Sequence, residues 1–109
     1  MATSVEYIQF VCDQIYGSGE VRYRKMFGEY MVYVNDKPVF LVCDETVYIK
    51  KLEELSDIMK NAECGIPYEG SKEHYVLDIE DRDLSLQVVS ILEPITPVPK
   101  PRNKKTVSK

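Results

Sequence analysis

The sequence predicts an α+β domain, a two-layer fold with a mainly antiparallel sheet of about five strands and three helices in the order α-β-β-β-β-α-β-α. Three observations lead there. Apolar residues recur at helical spacing near both ends of the chain. Between Gly19 and Lys50 the period drops to two. The connections within that stretch, Asn35-Asp36-Lys37 and Asp44-Glu45, are too short for the crossover that parallel neighbours need, so its strands must pair antiparallel. A chain of 109 residues with 44% apolar and 29% charged residues fits one such domain.

Thr3-Ser4-Val5-Glu6 reads as a capping box, a hydroxyl with a carboxylate three residues on. Val5, Ile8, Val11, Cys12, Ile15 and Tyr16 then form one helical stripe over about residues 4–16, and Gly17 is a natural stop. Glu20 to Met26 alternates Val21 and Tyr23 with Arg22 and Arg24. Glu29 to Val34 is rich in tyrosine and β-branched residues. Val39 to Cys43 is a continuous apolar run and Thr46 to Lys50 alternates again. Leu52 to Asn61 places Leu52, Leu55, Ile58 and Met59 on one helical face. Cys64 to Ser71 reads as a loop and Tyr75 to Ile79 as a fifth strand. Asp81 caps a third helix whose Leu84, Val88, Ile91 and Leu92 share a face, with Pro94 near its end. The folded body is thus 1–96. Residues 97–109, beginning Pro97-Val98-Pro99-Lys100-Pro101, read as a disordered Pro/Lys-rich tail.

The 18 acidic and 14 basic residues are unevenly placed. Five of the basic ones follow Pro97, which leaves nine against eighteen in the body, a net −9. A body so acidic lacks the positive field that duplex DNA binding uses, so no direct specific DNA binding by the body is expected. The N-terminus has no basic, apolar leader and no stretch is long enough to span a membrane, which together predict a cytoplasmic protein. Cys12, Cys43 and Cys64 are odd in number and lack a Cys-x-x-Cys pair, so free thiols are expected, with no metal and no cofactor.

Gly17-Ser18-Gly19 follows a helix and opens a strand, the reverse of a dinucleotide fingerprint. The acids of Glu53-Glu54-Asp57 and Glu80-Asp81-Asp83 sit at helix starts, where the dipole favours them. Cys64 and His74 are the sole candidates for a thiol and its base, with Asp78 to orient the imidazole and Ser71 as a substitute nucleophile. The most unusual stretch runs from Arg22 to Tyr30. Arg22 and Arg24 share one strand face beside aromatic rings, and Lys25, Met26, Phe27, Gly28 and Tyr30 complete a candidate site for an anion or an acidic partner. Gly28, between two strands, is expected to serve a turn or bulge. The alternation also leaves Met31, Tyr33, Leu41, Cys43 and Tyr48 on the sheet face opposite Val32, Val34, Val47 and Ile49. That second apolar face predicts either a two-fold homodimer through the sheet or a last helix crossing over to cover it.

The run Tyr23-Arg24-Lys25-Met26-Phe27-Gly28-Glu29-Tyr30, followed by Val32-Tyr33, Asp36-Lys37, Phe40, Val42, Val47-Tyr48-Ile49-Lys50, Ile66-Pro67-Tyr68 and His74-Tyr75, resembles the N-terminal domain of the TfoX/Sxy competence regulators over about residues 4–94. The resemblance implies a small bacterial cytosolic protein with an α+β fold and with Arg24 to Gly28 as the family signature. Full-length members promote transcription of DNA-uptake genes in cooperation with a cyclic-AMP receptor protein and carry a second, C-terminal domain. Here the Pro/Lys tail stands where that domain would begin. The reading is a non-enzymatic regulatory or adaptor protein whose partner is another protein or the transcription machinery, met at the Arg24–Tyr30 segment and the sheet face. The alternative is a small-ligand or anion-binding module with minor enzymatic activity at a Cys64/His74 cleft.

Overall fold

The computed structural model describes residues 3–26 and 29–98. Its elements are α1 (Val5–Gln14), β1 (Val21–Met26), β2 (Glu29–Val34), β3 (Lys37–Cys43), β4 (Thr46–Lys50), β5 (Cys64–Gly65), β6 (His74–Leu77) and α2 (Arg82–Ile95). One six-stranded sheet runs in the order β1-β2-β3-β4-β6-β5, with every pair antiparallel. The α+β class holds. Six strands and two helices replace the expected five and three.

Both discrepancies have local causes. Leu52 to Asn61 forms only a single 3-10 turn, Glu53–Leu55, and then a chain of turns. Ser56 Oγ donates to the Glu53 carbonyl at 2.8 Å, so its side chain competes for a backbone group that a helix would use. Leu55 and Met59 are nevertheless anchored in the core. The sixth strand, Cys64–Gly65, is two residues long inside a stretch rich in loop residues. It pairs with His74 and Tyr75, and Val76 N–H donates to the Glu63 carbonyl at 2.8 Å.

The N-cap of α1 is Ser4, one residue later than the capping box predicts, and its hydroxyl accepts from Tyr7 N–H at 3.1 Å. Thr3 is thereby released for a different task. Its Oγ1, in a buried residue, accepts from Glu45 N–H at 3.0 Å and ties α1 to the β3–β4 turn. Two-residue turns at Asn35–Asp36 and Asp44–Glu45 hold all four residues at positive φ, the twist that matches flanking antiparallel strands. Gly19, at φ +146°, is where glycine is required. A side chain there would lie 2.8 Å from the Asn35 amide, whose Oδ1 accepts from Glu20 N–H.

α1 and α2 lie on one face of the sheet and share one core. Ile8, Val11 and Ile15 from α1 and Val88, Val89 and Leu92 from α2 meet Tyr30, Val32, Val34, Phe40, Val42, Val47, Ile49 and Leu77. Asp81 caps α2 as expected, accepting from Leu84 N–H at 3.1 Å. Gln14 Nε2 donates to the Ile79 carbonyl in the segment before α2, and Arg82, the first residue of α2, donates to the carbonyls of Asp13 and Tyr16 at the C-terminal end of α1. The crossing-over of the last helix to the opposite face does not occur.

Candidate interaction surface

Register decides which side chains share the other face. Across β1 to β6, Arg24, Met31, Leu41, Tyr48 and Val76 stand in one row. Arg22 and Tyr33 pair on the same face of β1 and β2, and Lys50, His74 and Gly65 do so across β4, β6 and β5. Met31, Tyr33, Leu41, Tyr48 and Val76 are each only partly covered, while Arg22, Arg24 and Lys50 are exposed. This is the face on which the alternation placed Met31, Tyr33, Leu41 and Tyr48. The exception is Cys43, which is 2% exposed: burial and the neighbouring Glu29 carboxylate push its thiol up to about 12.

The same register divides the candidate Arg22–Tyr30 segment. Arg22 and Arg24 lie on the open face. Tyr23, Lys25 and Tyr30 lie on the helix side, where Tyr30 is buried in the core and Tyr23 stacks edge-on against it at 5.5 Å. Of Met26 only the strand backbone is described, and Phe27 and Gly28, with the turn expected there, fall outside the described residues. So does the tail from residue 99 onward. Arg22 is paired with Asp36, whereas Arg24 and Lys50 have no acidic partner among the described residues.

At the end of the open face where β3 begins and β4 ends, a groove of about 340 Å³ opens. Met31, Leu41 and Tyr48 lie along it with Lys50 and His74, Tyr68 and the Ile95–Pro97 end of α2 reach it, and Pro38, Val39, Phe40, Leu52 and Leu92 line it where it meets the core. His74 Nδ1–H donates to the Lys72 carbonyl at 2.7 Å, which leaves Nε2 available, and its ring meets Tyr48 edge-on at 6.4 Å. Gly65 makes room for that tyrosine: a side chain there would lie 3.2 Å from the ring. Neither Tyr68 nor the α2 terminus announces itself in the sequence as part of this site, since both reach it from distant elements.

Cys64 and His74 are not brought together. Cys64 pairs with Tyr75 and therefore faces away from His74, which is opposite Gly65. Asp78 instead accepts from Glu80 N–H in a turn after β6, and Ser71 donates to the Lys72 carbonyl. The three thiols are free, and burial raises the half-buried Cys12 thiol to about 11. Among the described residues no cluster of three histidines, cysteines or acids has the placement to hold a metal ion. No described helix is long and apolar enough to cross a membrane. On the helix side, a larger cavity of about 620 Å³ carries the opposite charge, with Glu45, Glu63, Asp78 and Glu80 around Tyr7. Burial and three of those acids raise the Tyr7 hydroxyl above its ordinary value.

An uncharacterized 12.7 kDa protein from the trpE 5′ region of Spirochaeta aurantia is 36% identical over 108 residues, spanning 97% of this chain and 94% of that protein. The family model of the TfoX N-terminal domain matches residues 13–82, from the last turn of α1 to the start of α2, and so includes every strand of the sheet. The chain belongs to the TfoX N-terminal domain family.

Proposed function

We propose that this protein is a non-enzymatic regulatory adaptor that works through protein contacts on the open face of its sheet. The observation carrying this reading is the one-sided placement of the helices. α1 and α2 both serve one core, and the opposite face keeps Met31, Tyr33, Leu41 and Tyr48 in a contiguous, incompletely covered patch. Continuous apolar surface of that kind on a soluble domain marks an interaction site. The patch carries large rigid side chains with polar tips, which suit protein interfaces. Family membership supports a role in gene regulation, and a protein partner fits the −9 body better than duplex DNA does. A second copy of the chain, associated about a two-fold axis, is one partner this face accommodates.

The test is complementation of a deletion strain with a chain carrying Met31→Glu and Leu41→Glu. Both side chains lie outside the helix-covered core, so the variant is expected to fold and to fail to restore the transcript profile of the parent strain. Full restoration by a folded variant would refute the reading. A chain truncated after Thr96 is expected to show no specific binding to duplex DNA at physiological salt, measured by electrophoretic shift.

A further inference from the structure

Acidic groups outnumber basic ones two to one in residues 1–96, eighteen to nine. In such a body a cation should find a carboxylate nearby, and several do: Arg22 with Asp36, Lys37 with Glu93, Lys51 with Glu73. Arg24, Lys25, Lys50, Lys60, Lys72 and Arg82 have no ion pair among the described residues, and of these Arg24 and Lys50 stand on the open face. Between them lie Met31, Leu41 and Tyr48. His74, beside Lys50, has its Nε2 uncommitted. The face is therefore an apolar floor with unused positive charge at either side. From β1 to β4 is three strand spacings, about 14 Å at ~4.8 Å each.

We infer that the open face binds an extended, acidic segment of a partner protein, laid across the strands with apolar residues over Met31, Leu41 and Tyr48 and a carboxylate at each end, one on Arg24 and one on Lys50. An extended chain rises about 3.4 Å per residue, so the two carboxylate positions are separated by about four residues. The inference rests on the open-face reading above and specifies its partner's chemistry. A peptide with a few carboxylates suits this surface better than a single-stranded nucleic acid does. Successive phosphates would bring a charge at every nucleotide against a body of net −9, whereas the peptide puts charge only where the two cations stand. A two-fold copy of the chain would bring two sets of these cations to one interface, where Glu29 on β2 is already engaged with Cys43.

The experiment uses the full chain, isotope-labelled, and four probes. The first is a synthetic peptide of about four apolar residues flanked at each end by two acids. The second carries amides in place of the acids, the third lysines, and the fourth is a single-stranded oligouridylate of about eight nucleotides. Affinity is read by fluorescence anisotropy and location by amide shifts. The acidic peptide is expected to bind at least ten-fold more tightly than the amide and lysine peptides and the oligonucleotide, with shifts centred on Met31, Leu41, Tyr48 and Val76. The Arg24→Glu/Lys50→Glu variant, with an unchanged melting temperature, is expected to lose that ten-fold preference and to gain affinity for the lysine peptide. Equal binding of the acidic and amide peptides on this face overturns the acidic partner and leaves the open-face reading standing. Absence of open-face shifts with every peptide overturns both. Tighter binding of the oligonucleotide, or a chain dimer that holds this face against every probe, assigns it to a different occupant and overturns the inference.

Discussion

On the helix side of the sheet, Val32, Val34, Phe40, Val42, Val47 and Ile49 are each no more than 1% exposed. On the other side, their immediate neighbours Met31, Tyr33, Leu41 and Tyr48 are only partly covered, and Arg22, Arg24 and Lys50 stand in solvent. The two sets alternate along the same strands, so backbone propensity cannot separate them. What separates them is whether a helix lands on top. Ile8, Val11, Val88 and Leu92 close one face, and nothing described closes the other. Stability is thus concentrated on one side, and the freedom to bind on the other.

The largest expected effect breaks that contrast at a single step of the chain. Phe40→Ala removes a 1% exposed ring from between the sheet and α2 and is expected to cost about 3–5 kcal/mol in denaturant unfolding. Leu41→Ala, one residue later on the open face, is expected to cost less than about 1 kcal/mol, the scale of a substitution that leaves no closed cavity. Comparable losses for the two would mean the faces are not energetically distinct.

Cys43 sharpens the comparison, because it is buried although its register places it on the open side. Its thiol is pushed up to about 12 and that of Cys12 to about 11, against an ordinary value of 9.0. The folded state therefore retains protons that the unfolded chain releases above pH 9. Stability should fall as pH rises from 9 to 11, by about 1.4 kcal/mol per pH unit for each thiol. Chemical denaturation across that range, compared with Cys12→Ala and Cys43→Ala chains, measures it. A flat profile in the parent chain would show that these thiols titrate in the folded state.

Smaller still is the clasp between α1 and the β3–β4 turn. Thr3→Val leaves Glu45 N–H without its acceptor in a partly buried place and should cost about 1 kcal/mol in denaturant unfolding. Smallest is the pair on the open face. Arg24→Ala with Lys50→Ala removes exposed, unpaired cations, so the unfolding free energy should move by less than about 0.5 kcal/mol. A larger loss would mean that these cations serve the fold.

The meander from β1 to β4 was legible because period two, Asn35–Asp36 and Asp44–Glu45 all point to the same pairing. The phase of Met31 and Tyr33 against Val32 and Val34 was legible for the same reason. In Val39 to Cys43 the alternation placed Leu41 correctly, but a run that is apolar throughout does not show where it breaks phase. The register slips by one residue there, Val32 facing Phe40 and Tyr33 facing Pro38, so that Val39 and Phe40 are both buried in succession. The Arg22–Tyr30 segment read as one site in the sequence, yet adjacent strand residues point to opposite faces, which sends Lys25 and Tyr30 away from Arg22 and Arg24. The groove joins β2, β3, β4, Tyr68 and the end of α2, and no local pattern encodes a meeting of such distant residues.

The bond from Glu45 to Thr3 joins positions 42 apart, whereas the turns of the meander close loops of a few residues. Closing a long loop costs more chain entropy than closing a short one, so strand pairing has a head start over the docking of α1. The same asymmetry holds in the native protein. Any opening that carries Thr3 away with α1 strips the Glu45 amide of its acceptor, so that amide is expected to exchange with solvent before those of the strand ladders. That one hydrogen bond makes Glu45 a local gauge of how often the helical layer parts from the sheet.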